Sequence, residues 1–126
     1  MARILYVEDE PDIRSDVVEE LVDLGHTISA AADGREGLQM ALDFRPDIIL
    51  CDCLMPGMTG PEMVRALHDG YPEFKSVPVV FLSAHADPAH QEEGLAAGAR
   101  AYLTKPVDFD ELEGVLGELL DAAGTA

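Results

Sequence analysis

Glu8, Asp9, Asp52, Ser83 and Lys105 are the residues of this sequence whose types and placement could do chemistry, because each follows directly on a short apolar run. Glu8 and Asp9 follow Ile4 to Val7, Asp52 closes Ile48 to Leu50 and Cys51, Ser83 ends Val77 to Leu82, and Lys105 follows Ala101 to Thr104. If the runs lie side by side, three carboxylates crowd together, which is costly unless a cation compensates or some protons stay bound. Oxygen ligands without His or Cys favour a hard cation. Mg2+ is the natural choice, since it is held by one or two carboxylates plus waters and leaves positions for phosphate oxygens. Lys105 is a point charge of the right sign for phosphate, and Ser83 offers a hydroxyl donor. A carboxylate nucleophile, a divalent cation and an ammonium are what an aspartyl-phosphate needs. Each residue also has a bland reading: Asp52 as a loop cap, the acidic pair as part of an acidic chain, Ser83 as a turn former, Lys105-Pro106 as surface. Their joint placement at four strand ends is hard to obtain from a chain with no site.

The elements that must position these groups follow from periodicity and breakers. Ile48, Ile49 and Leu50 read as a strand buried on both faces, because a half-buried strand would alternate with polar residues. Pro56, Gly57 and Gly60 then break the chain into a loop just beyond Asp52. After the first strand, Pro11 opens a helix with Ile13, Val17, Val18, Leu21 and Leu24 on its apolar stripe, stopped at Gly25. His26 to Ala32 is a weaker second strand, ended by Asp33-Gly34, and the following helix turns Leu38, Ala41 and Leu42 to the core before Arg45-Pro46 closes it. Pro61 opens a third helix with Met63, Val64 and Leu67 inward, broken at Gly70-Tyr71-Pro72, and a polar connection leads to Val77. Pro88 starts a fourth helix through Leu95 to Gly98. Asp108 and Glu111 form a box-like cap for a last helix that carries Phe109, Leu112, Val115, Leu116, Leu119 and Leu120 and frays out at Gly124.

Five strand–helix units in alternation demand a parallel sheet with right-handed crossovers and helices on both faces: a doubly wound, flavodoxin-like α/β fold. A closed barrel needs eight strands and is excluded. In such open sheets ligands bind at the carboxyl edge of the strands, where all the candidate residues fall.

At 126 residues the chain has the size of one domain, so residues 1–126 are expected to form a single unit. Its 48% hydrophobic and 6% aromatic composition suits a Leu, Val, Ile and Ala core. The formal net charge of −17 repels phosphate backbones and anionic lipid, so neither nucleic acid nor membrane is expected as a partner. No run approaches the roughly 18 apolar residues of a membrane span. Cys51 and Cys53 point to one face of an extended strand, cannot easily pair, and read as buried small hydrophobes in a reduced, cytoplasmic setting.

Val7-Glu8-Asp9-Glu10-Pro11, the run D-x-x-M-P-G-M-x-G from Asp52 to Gly60, Leu82-Ser83-Ala84 and Lys105-Pro106 together resemble the response regulator receiver domain. The resemblance covers essentially the whole chain. It implies a phosphoacceptor at Asp52, Asp9 as a direct and Glu8 as a mainly water-mediated Mg2+ ligand, and the backbone carbonyl of Leu54 as a third protein ligand. Ser83 and Lys105 would contact the phosphoryl group, Tyr102 matches the aromatic switch position, and a cis peptide is usual before Pro106. Ser83 stands where Thr is commoner. Leu54 and His85 occupy positions that look onto the attacking water in this family; Leu54 offers that water nothing, whereas His85 could position it or shield the site.

The implied function is a phosphoacceptor switch of a two-component system, fed by a histidine kinase or histidine phosphotransfer protein and read by a downstream protein, with slow self-dephosphorylation its only catalysis. The expected output surface is the fourth helix, fifth strand and fifth helix around Ala101 and Tyr102. Three competitors are weaker. An aspartate-nucleophile phosphohydrolase needs a second acid where Leu54 stands, and a flavodoxin-like FMN carrier needs a hydroxyl- and Gly-rich first loop where Glu8 to Pro11 stand. A receiver-like scaffold without chemistry would not need the full set of site residues.

Overall fold

In a computed structural model, which describes residues 2–84 and 88–122, strands and helices alternate along the chain: β1 (Arg3–Val7), α1 (Pro11–Asp23), β2 (Thr27–Ala31), α2 (Gly34–Phe44), β3 (Ile48–Asp52), α3 (Gly60–Gly70), β4 (Val79–Ser83), α4 (Pro88–Ala96), β5 (Ala101–Thr104) and α5 (Phe109–Ala122). All strand pairs are parallel and the order across the sheet is β2-β1-β3-β4-β5. The doubly wound sheet expected from the sequence is the one observed. Because β1 lies between β2 and β3, the chain winds outward in one direction and then returns to continue in the other. That reversal leaves a crevice at the carboxyl ends of β1 and β3.

The period of two along each strand divides the core. Leu5, Val7, Ile49, Cys51 and Phe81 meet Ala41 of α2 and Met63, Val64 and Leu67 of α3 on one side of the sheet. Ile4, Tyr6, Ile48, Leu50, Val80 and Leu82 meet Val17 and Leu21 of α1 and Leu112, Leu116 and Leu120 of α5 on the other. β3 and β4 are buried along their whole length, the signature of strands covered on both faces.

Several local expectations change. Leu24 is 39% exposed, because α1 ends at Asp23 and Leu24 leaves the apolar stripe as the C-cap. Phe109 is likewise partly exposed at the first position of α5 rather than packed inward. The polar connection before β4 contains a 3-10 turn, Pro72–Ser76, that buries Phe74 with Arg45 stacked 5.3 Å from its ring centroid. Arg45 ends α2 in the left-handed conformation, at φ 54°, instead of the extended one that a following proline favours. The expected fraying at Gly124 lies outside the described residues. Among the described residues no helix is long and apolar enough to cross a membrane.

Candidate functional site

β1 delivers its acids by strand pairing. Val7 pairs with Ala31 and Cys51, and the Glu8 amide donates to the Ala31 carbonyl at 3.0 Å, so the ladder holds the chain up to the first carboxylate. Glu8 is fully buried and Asp9 half-buried. On Glu8, Oε1 accepts from the Tyr6 hydroxyl at 3.3 Å and from Lys105 Nζ at 2.7 Å, and Oε2 accepts from the Glu10 amide at 3.3 Å. Arg14, the one basic residue of α1, donates from Nη1 to the Glu8 carbonyl at 2.7 Å and ties the helix to the loop.

Asp52 ends β3 opposite Leu82 and is buried, with Oδ2 at 3.2 Å from Lys105 Nζ. The loop that follows is drawn tightly back over the strand end: the Gly60 amide donates to the Cys53 carbonyl at 2.9 Å. A Cβ on Gly60 would sit 2.5 Å from the Asp52 carbonyl oxygen, so only glycine fits. Thr59 and Glu62 then start α3 with a reciprocal capping box. Ser83, almost fully buried, ends β4, and its carbonyl accepts from the Lys105 amide at 2.7 Å. This bond and the Ser83–Thr104 register carry the end of β5 into place and aim Lys105 across the crevice. The Lys105–Pro106 peptide is cis.

Glu8, Asp9 and Asp52 each present a carboxylate oxygen to one cluster, and these three atoms lie within 4.8 Å of one another. With Lys105 as counter-ion, three ionised carboxylates leave two negative charges uncompensated, which is the charge of one divalent cation. The donor set is all oxygen, as a hard cation requires. With protein groups alone, burial first and then the Glu8 charge push the Asp52 carboxyl up to about 7, against the pull of Lys105. For Lys105, burial acts downward, but the Glu8 hydrogen bond and the charges of Asp52 and Glu8 outweigh it and hold the ammonium above its ordinary value. The cluster therefore favours a cation on two counts, geometry and charge.

The structure brings Glu8, Asp9, Asp52 and Lys105 together and sets Ser83 at the neighbouring strand end. The Leu54 side chain is 46% exposed and contributes nothing apolar to the core. Tyr102 lies farther back on β5, its ring against Gly94 of α4, where a Cβ would meet Cδ2 at 3.0 Å, and it shares a hydrogen bond with the Cys53 thiol. His85 lies outside the described residues. Tyr6 and Arg14 are the contributors that the sequence reading passed over. Each had a signal: Tyr6 is the one polar-tipped side chain in a strand otherwise apolar from Ile4 to Val7, and Arg14 is the lone cation in an acidic helix.

Residues 4–116 match the model of the response regulator receiver domain. The chain belongs to the response regulator receiver domain family. This receiver is 36% identical to the two-component response regulator PhoP of Pseudomonas aeruginosa over 94% of its own length and 51% of that protein's. It is also 36% identical to the protein PilH of the same organism, covering 89% of this receiver and 92% of PilH. The solved structure of the chemotaxis protein CheY4 of Vibrio cholerae superposes with a TM-score of 0.89 at 38% identity, covering 95% of this chain and 99% of that one. The receiver thus spans about half the length of the first curated relatives it matches and nearly all of PilH. Receivers of this family are signalling switches of two-component systems that work with histidine kinases.

Proposed function

We propose that this receiver takes a phosphoryl group from a phosphohistidine donor onto Asp52 and passes the signal on by changed protein–protein contacts. The observation that carries the reading is the cluster of three carboxylate oxygens within 4.8 Å, bridged by Lys105, at the crevice where the strand order reverses. Asp52 is the acceptor because it combines the central strand end with an ammonium on one of its own oxygens. Asp9, Asp52 and the Leu54 backbone carbonyl would hold Mg2+ directly, with Glu8 acting mainly through water. Bound there, Mg2+ supplies charge neutralisation for the phosphoryl oxygens and for the carboxylates.

In the transfer an Asp52 carboxylate oxygen forms a bond to phosphorus as the P–N bond to the donor imidazole breaks, and the imidazole nitrogen keeps the electron pair. Lys105 turns its ammonium from the carboxylates to the phosphoryl oxygens, and the Ser83 hydroxyl donates to another. The gain of a charged acceptor draws Ser83 toward the site and repopulates the positions of Tyr102, a shift between two states. Slow self-dephosphorylation, tuned at Leu54 and His85, resets the switch. The output surface is α4, β5 and α5, on which Leu95 is 52% exposed, and the net charge of −17 favours a protein target over nucleic acid. We read residues 1–126 as one such unit at work in the cytoplasm, a setting that suits two unbridged, buried cysteines. A phosphohydrolase with the same nucleophile would need an acid at Leu54.

The test is incubation with acetyl phosphate and Mg2+ followed by intact mass measurement. The wild type gains one phosphoryl group; Asp52→Asn and wild type in EDTA do not. A mass gain in the Asn variant equal to that of the wild type overturns the assignment.

A further inference from the structure

We propose that Tyr6 is a positioning residue of the acidic pocket, the fixed donor that stays on Glu8 when Lys105 turns to the incoming phosphoryl group. This rests on the reading of Asp52 as phosphoacceptor. Tyr6 is wholly buried among Ile4, Ile48 and Leu50 in the core on the α1 and α5 side, where a phenylalanine would fill the same space. A hydroxyl in such surroundings is costly unless it is bonded, and its bond is to Glu8 Oε1 at 3.3 Å. Against a carboxylate, which only accepts, the phenol hydroxyl is the donor.

Oε1 of Glu8 is a shared acceptor: Lys105 Nζ lies 2.7 Å from it and 3.2 Å from Asp52 Oδ2. The two donors differ in mobility. Lys105 ends a flexible four-carbon stem, whereas the ring of Tyr6 stands on a strand paired on both sides, with Ala30 in β2 and Leu50 in β3. When Lys105 moves to phosphoryl oxygens, a fully buried carboxylate oxygen would lose its strong donor, and an unsatisfied buried acceptor carries the full desolvation penalty. The Tyr6 hydroxyl prevents that. It lowers the cost of releasing Lys105, and its influence therefore appears in the phosphorylated state more than in the resting one.

The experiment compares the full chain with its Tyr6→Phe variant in two titrations followed by calorimetry and amide NMR: Mg2+ alone, and beryllofluoride with saturating Mg2+ as the phosphoryl mimic. The expected result is a beryllofluoride affinity about fivefold to tenfold weaker in Tyr6→Phe, with Mg2+ affinity changed by less than about twofold, because Lys105 still covers Glu8 when only Mg2+ is bound. Equal loss in both titrations indicates general loosening and overturns the proposal, as does no loss in either. A second measurement needs no variant: in the wild type the Tyr6 ring 13Cζ resonance should move on adding beryllofluoride as the shared oxygen loses Lys105, and an unmoved resonance also overturns it. Should the wild type itself take no beryllofluoride, or Asp52→Asn take it equally well, the phosphoacceptor reading fails and this inference falls with it. A wild type that binds and a Tyr6→Phe that matches it refute the Tyr6 role alone.

Discussion

Replacing Asp52 by asparagine should make the metal-free protein more stable above neutral pH, and the gain should vanish in acid. The Asp52 carboxyl is pushed from its ordinary 3.8 to about 7, by burial first and the Glu8 charge second, with Lys105 opposing. Between those values the fold keeps a proton that the unfolded chain has released. The sign follows: stability contributed by the neutral carboxyl is complete below the unfolded value and is lost as pH rises through the folded one. A shift of about three units corresponds to about 4 kcal/mol at 1.36 kcal/mol per unit. Asparagine stays neutral at every pH, and the pull of Lys105 is already counted in that shift. The Asp52 side chain keeps some solvent exposure, so screening leaves roughly half of the figure, about 2 kcal/mol. For a domain of this size that is a rise in Tm of about 6 to 10 °C at about pH 8, shrinking toward zero below about pH 4. The assay is thermal unfolding by circular dichroism in EDTA across that range. Adding Mg2+ at a hundredfold its Kd should close the gap, since binding to the native wild type contributes about 2.7 kcal/mol. An Asn variant less stable than wild type at every pH, or a difference that does not vary with pH, would show instead that Lys105 holds Asp52 ionised in the fold.

Three further outcomes are expected. Gly60→Ala, whose Cβ would stand 2.5 Å from the Asp52 carbonyl, should lower stability by about 2 kcal/mol or more in denaturant titration and should slow phosphorylation by acetyl phosphate, because the end of β3 must shift. Thr59→Ala removes one half of the capping box of α3 and should cost about 1 kcal/mol of stability while leaving Mg2+ affinity unchanged. His68→Leu should stabilise by about 1 kcal/mol at neutral pH, because the buried Nε2 of His68 has no hydrogen-bond partner among the described residues. Burial first, and then Lys75, lower the His68 pKa, so the wild type should lose stability as pH falls below the ordinary histidine value, and the Leu variant should not.

Most of the architecture was legible because it is written in short-range patterns. The unbroken apolar runs at Ile48 to Cys51 and Val79 to Leu82 could only be strands covered on both faces, and the helices between them carried their own stops. The position of Asp52, Lys105 and the acidic pair followed from the same patterns, since a parallel sheet gathers its carboxyl ends at one edge. What stayed hidden depends on distant partners. Phe74 becomes an anchor only because α2 ends nearby with Arg45 over its ring, and Leu24 and Phe109 are exposed because they fall at helix ends. Tyr6 reads as one more large strand residue until the fold places Glu8 and Lys105 above its hydroxyl. The extra methylene that lets Glu8 reach that hydroxyl is visible in the sequence, but its use is not.

The register of the strands turns the pocket into a test of the whole chain's folding. Lys105 reaches Glu8 and Asp52 only because Thr104 stands opposite Ser83, Asp52 opposite Leu82 and Cys51 opposite Val7. A one-residue slip anywhere along that series moves a strand end by about 3.3 Å, farther than a hydrogen bond tolerates, and turns its side chains to the wrong face. On the proposed function, a copy that has mispaired a single strand would have no acceptor to offer, and a phosphoryl mark on Asp52 would certify the integrity of the molecule that carries it.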